Sequence, residues 1–179
     1  SGWAASLRAG CANIIKPKFS ASEFWSDVKK YKANKFIYVG ELCRYLMNLP
    51  ASETDKSNSI VQISGNGLRP DIWDSFQKRF NIKKIVEIYG ATEAVGMTVN
   101  SFGRSGMIGR KRSDSTIIHC NKDDGSPILN EQGYCTKISE GETGLYIQKI
   151  SSSAKFQGYL DAQASNKKMG AFLAVAQGS

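Results

Sequence analysis

The stretch IVEIYGATEAVG, residues 85–96, starts as a run with the composition of a buried strand and breaks into Tyr89-Gly90-Ala91-Thr92-Glu93. A hydroxyl and a carboxylate side by side where a strand stops have two readings. They can cap a following helix and acidify its first turn. Alternatively, Thr92 can reach a phosphoryl oxygen while Glu93, which would repel a phosphate directly, holds a divalent cation against it. The residues alone leave both readings open.

Upstream, the same punctuation recurs. The run Lys35-Phe-Ile-Tyr-Val39 is β-prone and ends in Gly40-Glu41. A further run at residues 60–64 leads into Gly65-Asn66-Gly67, and residues 12–15 form another short strand candidate. Between these runs lie helix signals. In FSASEFWSDVKKY, Ser20 or Ser22 can cap, and Phe24, Trp25 and Val28 supply an apolar face. Residues 41–49 read as a helix stopped by Pro50. In RPDIWDSFQKRF, Pro70 suits the first helical position, and Ile72, Trp73, Phe76 and Phe80 point one way, with Lys78 and Arg79 expected toward water.

Strand and helix alternating at crossover spacing predict an α/β fold, a layered and mostly parallel sheet with flanking helices. In such a fold ligands gather beyond the carboxyl ends of the strands. After residue 96 the pattern changes. β-prone pieces at 116–119, 134–138 and 145–150 are separated by turn signals at Asp123-Asp124-Gly125, Glu131-Gln132-Gly133 and Gly141-Glu142, which predicts a mixed or antiparallel β region. We therefore divide the chain into an α/β part at 1–96 and a mixed β part at 97–179.

If the strands are neighbours, three turns share one crevice. Gly65, Gly67 and Gly90 let main chain approach a flat ligand, Asn66 offers a carboxamide suited to a purine edge, and Tyr89 offers a ring for stacking. Each has a plainer reading: Gly65-Asn66-Gly67 as a tight turn, Tyr89 as core.

Composition sets limits. The 179 residues are 41% hydrophobic and 22% charged, as in folded chains. The formal charge of +8 comes from 24 basic against 16 acidic residues. The basic residues are scattered, as at Arg110-Lys111-Arg112, without the interleaved aromatics of a nucleic-acid platform, so no nucleic-acid partner is expected. The four cysteines form no CxxC pair and there is one histidine, His119, read as structural. Cys43 beside Leu42 and Leu46 reads as packing. No run of 18 apolar residues or signal segment stands out.

The chain resembles the fatty acid transport protein and very-long-chain acyl-CoA synthetase family, within the adenylate-forming superfamily. The likeness runs through KFSASEFWSDVKKY, YVGELCRYLMNLP, GNGLRPDIWDSFQKRFNI, EIYGATEA and FQGYLDAQASNKK, and covers residues 10–168. It implies an activity that joins a fatty acid to coenzyme A through an acyl-adenylate, using ATP and magnesium. By that resemblance Tyr89 stacks on adenine, Gly65, Asn66 and Gly67 form the adenine-side turn, and Gly90 and Ala91 are counted with them as nucleotide-binding. Thr92 contacts the α-phosphate, Glu93 is the magnesium-linked carboxylate, and Gly40 and Glu41 line the acyl side.

The resemblance also implies a partial domain, without the family's earlier phosphate loop, ribose-binding aspartate and C-terminal lysine domain. One wall of the nucleotide site is expected, with little activity from these residues alone. The complete protein is expected to be intracellular and to associate with membranes of the endoplasmic reticulum, peroxisome or cell surface. A catalytically silent acyl- or protein-binding module is the competing expectation.

Overall fold

The computed structural model describes residues 2–90, 97–150, 160–163 and 165. It divides into two units, Ser1–Tyr89 with Val99–Gly109, and Gly90–Thr98 with Arg110–Ser179.

In the first unit, helix α1 (Gly2–Arg8) is followed by α2 (Ala21–Tyr31), β1 (Lys35–Val39), α3 (Gly40–Met47), β2 (Gln62–Asn66), α4 (Pro70–Arg79), β3 (Lys84–Tyr89) and β4 (Thr98–Asn100). The sheet order is β1-β2-β3-β4. β1 and β2 run parallel, as do β2 and β3. This is the layered, mostly parallel arrangement expected from the alternation of runs.

The helices gather on one sheet face because alternate strand residues supply an apolar surface there. Tyr38, Ile63 and Ile85 are buried with Val28 of α2, Cys43 and Leu46 of α3, and Trp73 and Phe76 of α4. Aromatic contacts fix the layers: the Phe24 and Phe36 rings meet edge-on at 4.9 Å, and Trp25 stacks on Phe80 at 4.6 Å. Fully burying side chains of this size contributes about 1.5–3 kcal/mol each. On the other face of β1, Ile37 and Val39 remain 60% and 58% exposed.

Several expectations need correction. Residues 12–15 form no strand; they are exposed and outside every ladder among the described residues, and a β-prone run without a partner has nowhere to place its amides. β2 begins two residues later than expected, because the Asn58 carboxamide takes the Ile60 amide at 2.9 Å before the ladder can. Ser20 occupies the N-cap of α2, yet its hydroxyl makes no cap bond and lies 3.2 Å from that of Ser22.

Arg79 does not face water. Its Nε donates to Asp55 at 2.7 Å, Nη1 to the Met47 carbonyl at 2.8 Å, and Nη2 to the carbonyls of Leu49 and Pro50 at 3.0 and 2.9 Å. The guanidinium thus collects carbonyls left over at the end of α3, which Pro50 prevents from continuing. Asp55 sits in a 3-10 turn, Glu53–Lys56, on the connection between α3 and β2.

In the second unit, β5 (Ser115–Ile118) and β6 (Leu145–Gln148) pair antiparallel, as expected for this region. Residues 134–138 contribute isolated bridges, Leu129 with Cys135 and Ile118 with Lys137, rather than a continuous strand. The anticipated turns contain Gly125, Gly133 and Gly141, all at positive φ. Asp114 joins this pair to its entry loop: Arg112 and Gln148 donate to its carboxylate at 2.9 and 3.1 Å, holding its pKa down at about 2.

The side chains of Arg79 and Asp55 are only 16% and 12% exposed, so removing one leaves the other charge without its partner. Arg79→Ala in the intact protein is expected to lower stability by about 3–5 kcal/mol in urea unfolding. Arg79→Lys should recover part of that loss. A change in Arg79→Ala below about 0.5 kcal/mol, the size of ordinary surface effects, would contradict the role given to this side chain.

Candidate functional site

Parallel pairing brings the carboxyl ends of β1, β2 and β3 to one sheet edge. The register sets Val39 beside Asn66 and Gly65 beside Glu87. The residues that follow, Gly40, Gly67 and Tyr89, therefore emerge side by side.

Glycine is required at this edge for steric reasons. A Cβ on Gly40 would lie 1.6 Å from the Gly67 carbonyl oxygen, and one on Gly65 would lie 2.0 Å from that of Tyr38. Gly67 itself has a φ of +76°, a conformation that a side chain disfavours. The start of α3 is thereby seated directly on the turn after β2, with Gly40 and Gly65 buried and the main chain of Gly67 exposed.

Beneath the turn is a buried carboxylate that sequence reasoning missed. Glu87 Oε1 accepts from the Gly67 amide and, at 3.3 Å, from the Leu68 amide, while Oε2 accepts from the Tyr38 hydroxyl. Hydrogen bonds to a charged group contribute about 1.5–3 kcal/mol each. Burial and then the Glu87 hydrogen bond push the Tyr38 phenol well above its ordinary pKa, so it remains a donor. A signal existed in KIVEIY: Glu87 has the same strand parity as Ile85, hence the same buried face. An acid at such a position must find donors.

Cys43 lies in the same surroundings. Burial, with a smaller effect from the Glu87 charge, pushes its thiol up to about 12. It is a packed, protonated thiol, in accord with its reading from sequence. His119 belongs to the second unit, with Nε2 4.0 Å from a Glu142 carboxylate oxygen.

Of the expected site residues, the structure brings Gly40, Gly65, Asn66, Gly67 and Tyr89 to one edge. Asn66 is exposed, and Tyr89 is 54% exposed at the end of β3. Glu41 lies in the first turn of α3, where Arg44 Nε donates to its two oxygens at 3.1 and 3.0 Å. That hydrogen bond holds the Glu41 carboxyl below its usual range. Gly90 is exposed and falls at the unit boundary. Ala91, Thr92 and Glu93 lie outside the described residues.

Together, bare main chain, an exposed carboxamide and an exposed aromatic ring suit a planar heterocycle, which can be hydrogen-bonded at its edge and stacked on its face. The space a Cβ would take at Gly40 and Gly65 is filled by neighbouring strand and turn atoms, so these two glycines fix the close packing of the turn and leave Asn66, Gly67 and Tyr89 as the exposed groups of the edge. The carboxylate assigned to magnesium is Glu93, so the described residues supply no metal donor set to test.

Residues 1–144 match the family model described as AMP-binding enzyme. In sequence the chain is 41% identical over 162 residues to long-chain fatty acid transport protein 3 of Mus musculus, an alignment covering 87% of this chain and 24% of that protein. It is 36% identical over 163 residues to the medium/long-chain-fatty-acid–CoA ligase FadD6 of Mycobacterium tuberculosis, covering 91% of this chain and 27% of that one. The chain thus spans about a quarter of the length of these curated relatives.

The fold is similar to that of ATP-bound MatB from Rhodopseudomonas palustris, with a TM-score of 0.68 at 17% identity over 93% of this chain and 31% of that one. It is also similar to a long-chain-fatty-acid-CoA ligase from Archaeoglobus fulgidus, with a TM-score of 0.58 at 19% identity over 91% of this chain and 33% of that one. The resemblance carried by the motifs and these matches agree: the chain belongs to the AMP-binding enzyme family and has part of the adenylate-forming fold.

Proposed function

We propose that the protein carrying this chain is an ATP- and magnesium-dependent ligase that joins long-chain or very-long-chain fatty acids to coenzyme A and so assists their uptake. The observation that carries this reading is the convergence of Gly65, Asn66, Gly67 and Tyr89 on one strand-end edge, in a chain similar over most of its length to fatty acid transport proteins and a fatty-acid–CoA ligase.

In the first half-reaction a carboxylate oxygen of the fatty acid attacks the α-phosphorus of ATP, and the bond to pyrophosphate breaks. In the second, the coenzyme A thiol displaces AMP from the acyl carbon. Tyr89 stacks on the base, Gly65, Asn66 and Gly67 present the adenine-side turn, and Gly90 and Ala91 belong to the nucleotide-binding residues. Thr92 donates to an α-phosphate oxygen. Magnesium, when bound, offsets the charge that grows on the phosphates, and Glu93 is the residue to hold it. Gly40 and Glu41 belong to the acyl side.

Thioester formation favours uptake because the charged, bulky product recrosses a bilayer poorly. Membrane association in the cell, at the endoplasmic reticulum, peroxisome or plasma membrane, is part of this proposal. Among the described residues no helix is long and apolar enough to cross a membrane.

The test is acyl-CoA formation by the intact protein from ATP, magnesium, coenzyme A and fatty acids of graded length, with AMP and pyrophosphate released in equal amounts. Glu93→Gln is expected to slow adenylate formation at least tenfold, about 1.4 kcal/mol in the barrier, with little change in melting temperature. Tyr89→Ala is expected to raise the KM for ATP about three- to tenfold through lost stacking. Absence of acyl-CoA at every chain length would end the proposal, and unchanged pyrophosphate release in Glu93→Gln would remove that residue from its role.

A further inference from the structure

We infer that Glu87 is a positioning residue for recognition of the nucleotide base: its carboxylate holds the main chain of Gly67 and Leu68, and so sets the pose of the exposed Asn66 carboxamide. The inference rests on the reading of this edge as the nucleotide site and adds to it the device that makes the site selective.

The geometry carries the argument. Glu87 is buried, with 6% exposure, whereas Asn66 and Gly67 of the turn it holds are exposed. One of its oxygens accepts from two successive amides, those of Gly67 and Leu68. Successive amides aimed at one anion fix the peptide planes on either side, because each trans peptide is rigid. The Gly67 amide belongs to the peptide that joins it to Asn66, so holding that N–H fixes the plane from which Asn66 projects.

The second oxygen prevents the carboxylate from turning away. It accepts from the Tyr38 hydroxyl, and Tyr38 is itself 1% exposed in the core. From the other side, the closeness of Gly40 to the Gly67 carbonyl leaves no space for the turn to shift. Tyr38, Gly65 and Glu87 are consecutive partners across β1, β2 and β3, so the support spans all three strands that end at the edge.

A carboxamide discriminates bases by presenting an acceptor to an amino group and a donor to a ring nitrogen. That selectivity depends on its pose, and a loosened turn loses it first. A residue that only stabilised the fold would instead reduce the active fraction and lower kcat for every nucleotide alike.

The experiment uses the intact protein and compares kcat/KM for ATP with that for ITP, in which the 6-amino group is replaced by a carbonyl oxygen. Wild-type protein is expected to favour ATP. Glu87→Leu, which removes the acceptor, should narrow the ATP/ITP ratio at least tenfold through a raised KM for ATP, while the KM values for fatty acid and coenzyme A stay within about twofold. Glu87→Gln should retain the ratio within about threefold, because its amide oxygen still accepts from the two amides.

Should Glu87→Leu not fold, Tyr38→Phe carries the test, since it frees Oε2 and should narrow the ratio two- to fivefold. A folded Glu87→Leu, or failing that Tyr38→Phe, with the wild-type ratio overturns the inference and leaves the ligase reading standing. A wild-type protein with no preference for ATP over ITP overturns the reading of the edge, and the inference with it.

Discussion

A carboxylate withdrawn from water inside a sheet is tolerated only where donors replace the water it has lost. Glu87 meets that requirement with donors from two other segments, the Tyr38 hydroxyl of β1 and the amides of Gly67 and Leu68 after β2. The three strand ends are thereby tied to a common point. The left-handed Gly67, the close approach of Gly40 and the exposed Asn66 all lie at that tie. Asn66, Gly67 and Tyr89 stand exposed at the edge, while Tyr38, Gly65 and Glu87 are buried beneath it.

The same economy governs the rest of the first unit. Arg79 satisfies carbonyls stranded where Pro50 stops α3 and bonds Asp55 of the 3-10 turn, so the connection from α3 to β2 is tied to α4. The aromatic layer of Phe24, Trp25, Phe76 and Phe80 joins α2 to the end of α4, and Phe24 carries it onto Phe36 of β1, with the Trp25 indole N–H buried there without a hydrogen-bond partner among the described residues. In the second unit Asp114 plays a comparable part on a smaller scale, joining the β5 entry to β6 through Gln148.

Much of this was legible in the sequence wherever a local rule and the tertiary fold agree. β1 ends at Val39, just before Gly40, as its composition predicts, and Pro70 begins α4 because its missing amide hydrogen has no partner to lose there. What escaped was decided by long-range partners. The outward reading of Arg79 follows from helical periodicity, but carbonyls 29 to 32 residues away draw it inward. β-propensity cannot supply a neighbour for residues 12–15, and it cannot foresee that Asn58 takes the Ile60 amide. Glu87 was hidden for a different reason: YGATE drew attention to the carboxylate after the strand, whereas the one inside it is placed by strand parity.

The central claim is that the edge formed by Asn66, Gly67 and Tyr89 faces the base of a nucleotide. Photolabelling of the intact protein with 2-azido-ATP, followed by peptide mapping, addresses it most directly. The account predicts label on peptides containing residues 66–68 or Tyr89, suppressed by excess AMP. AMP-suppressible label confined to other parts of the protein would contradict it.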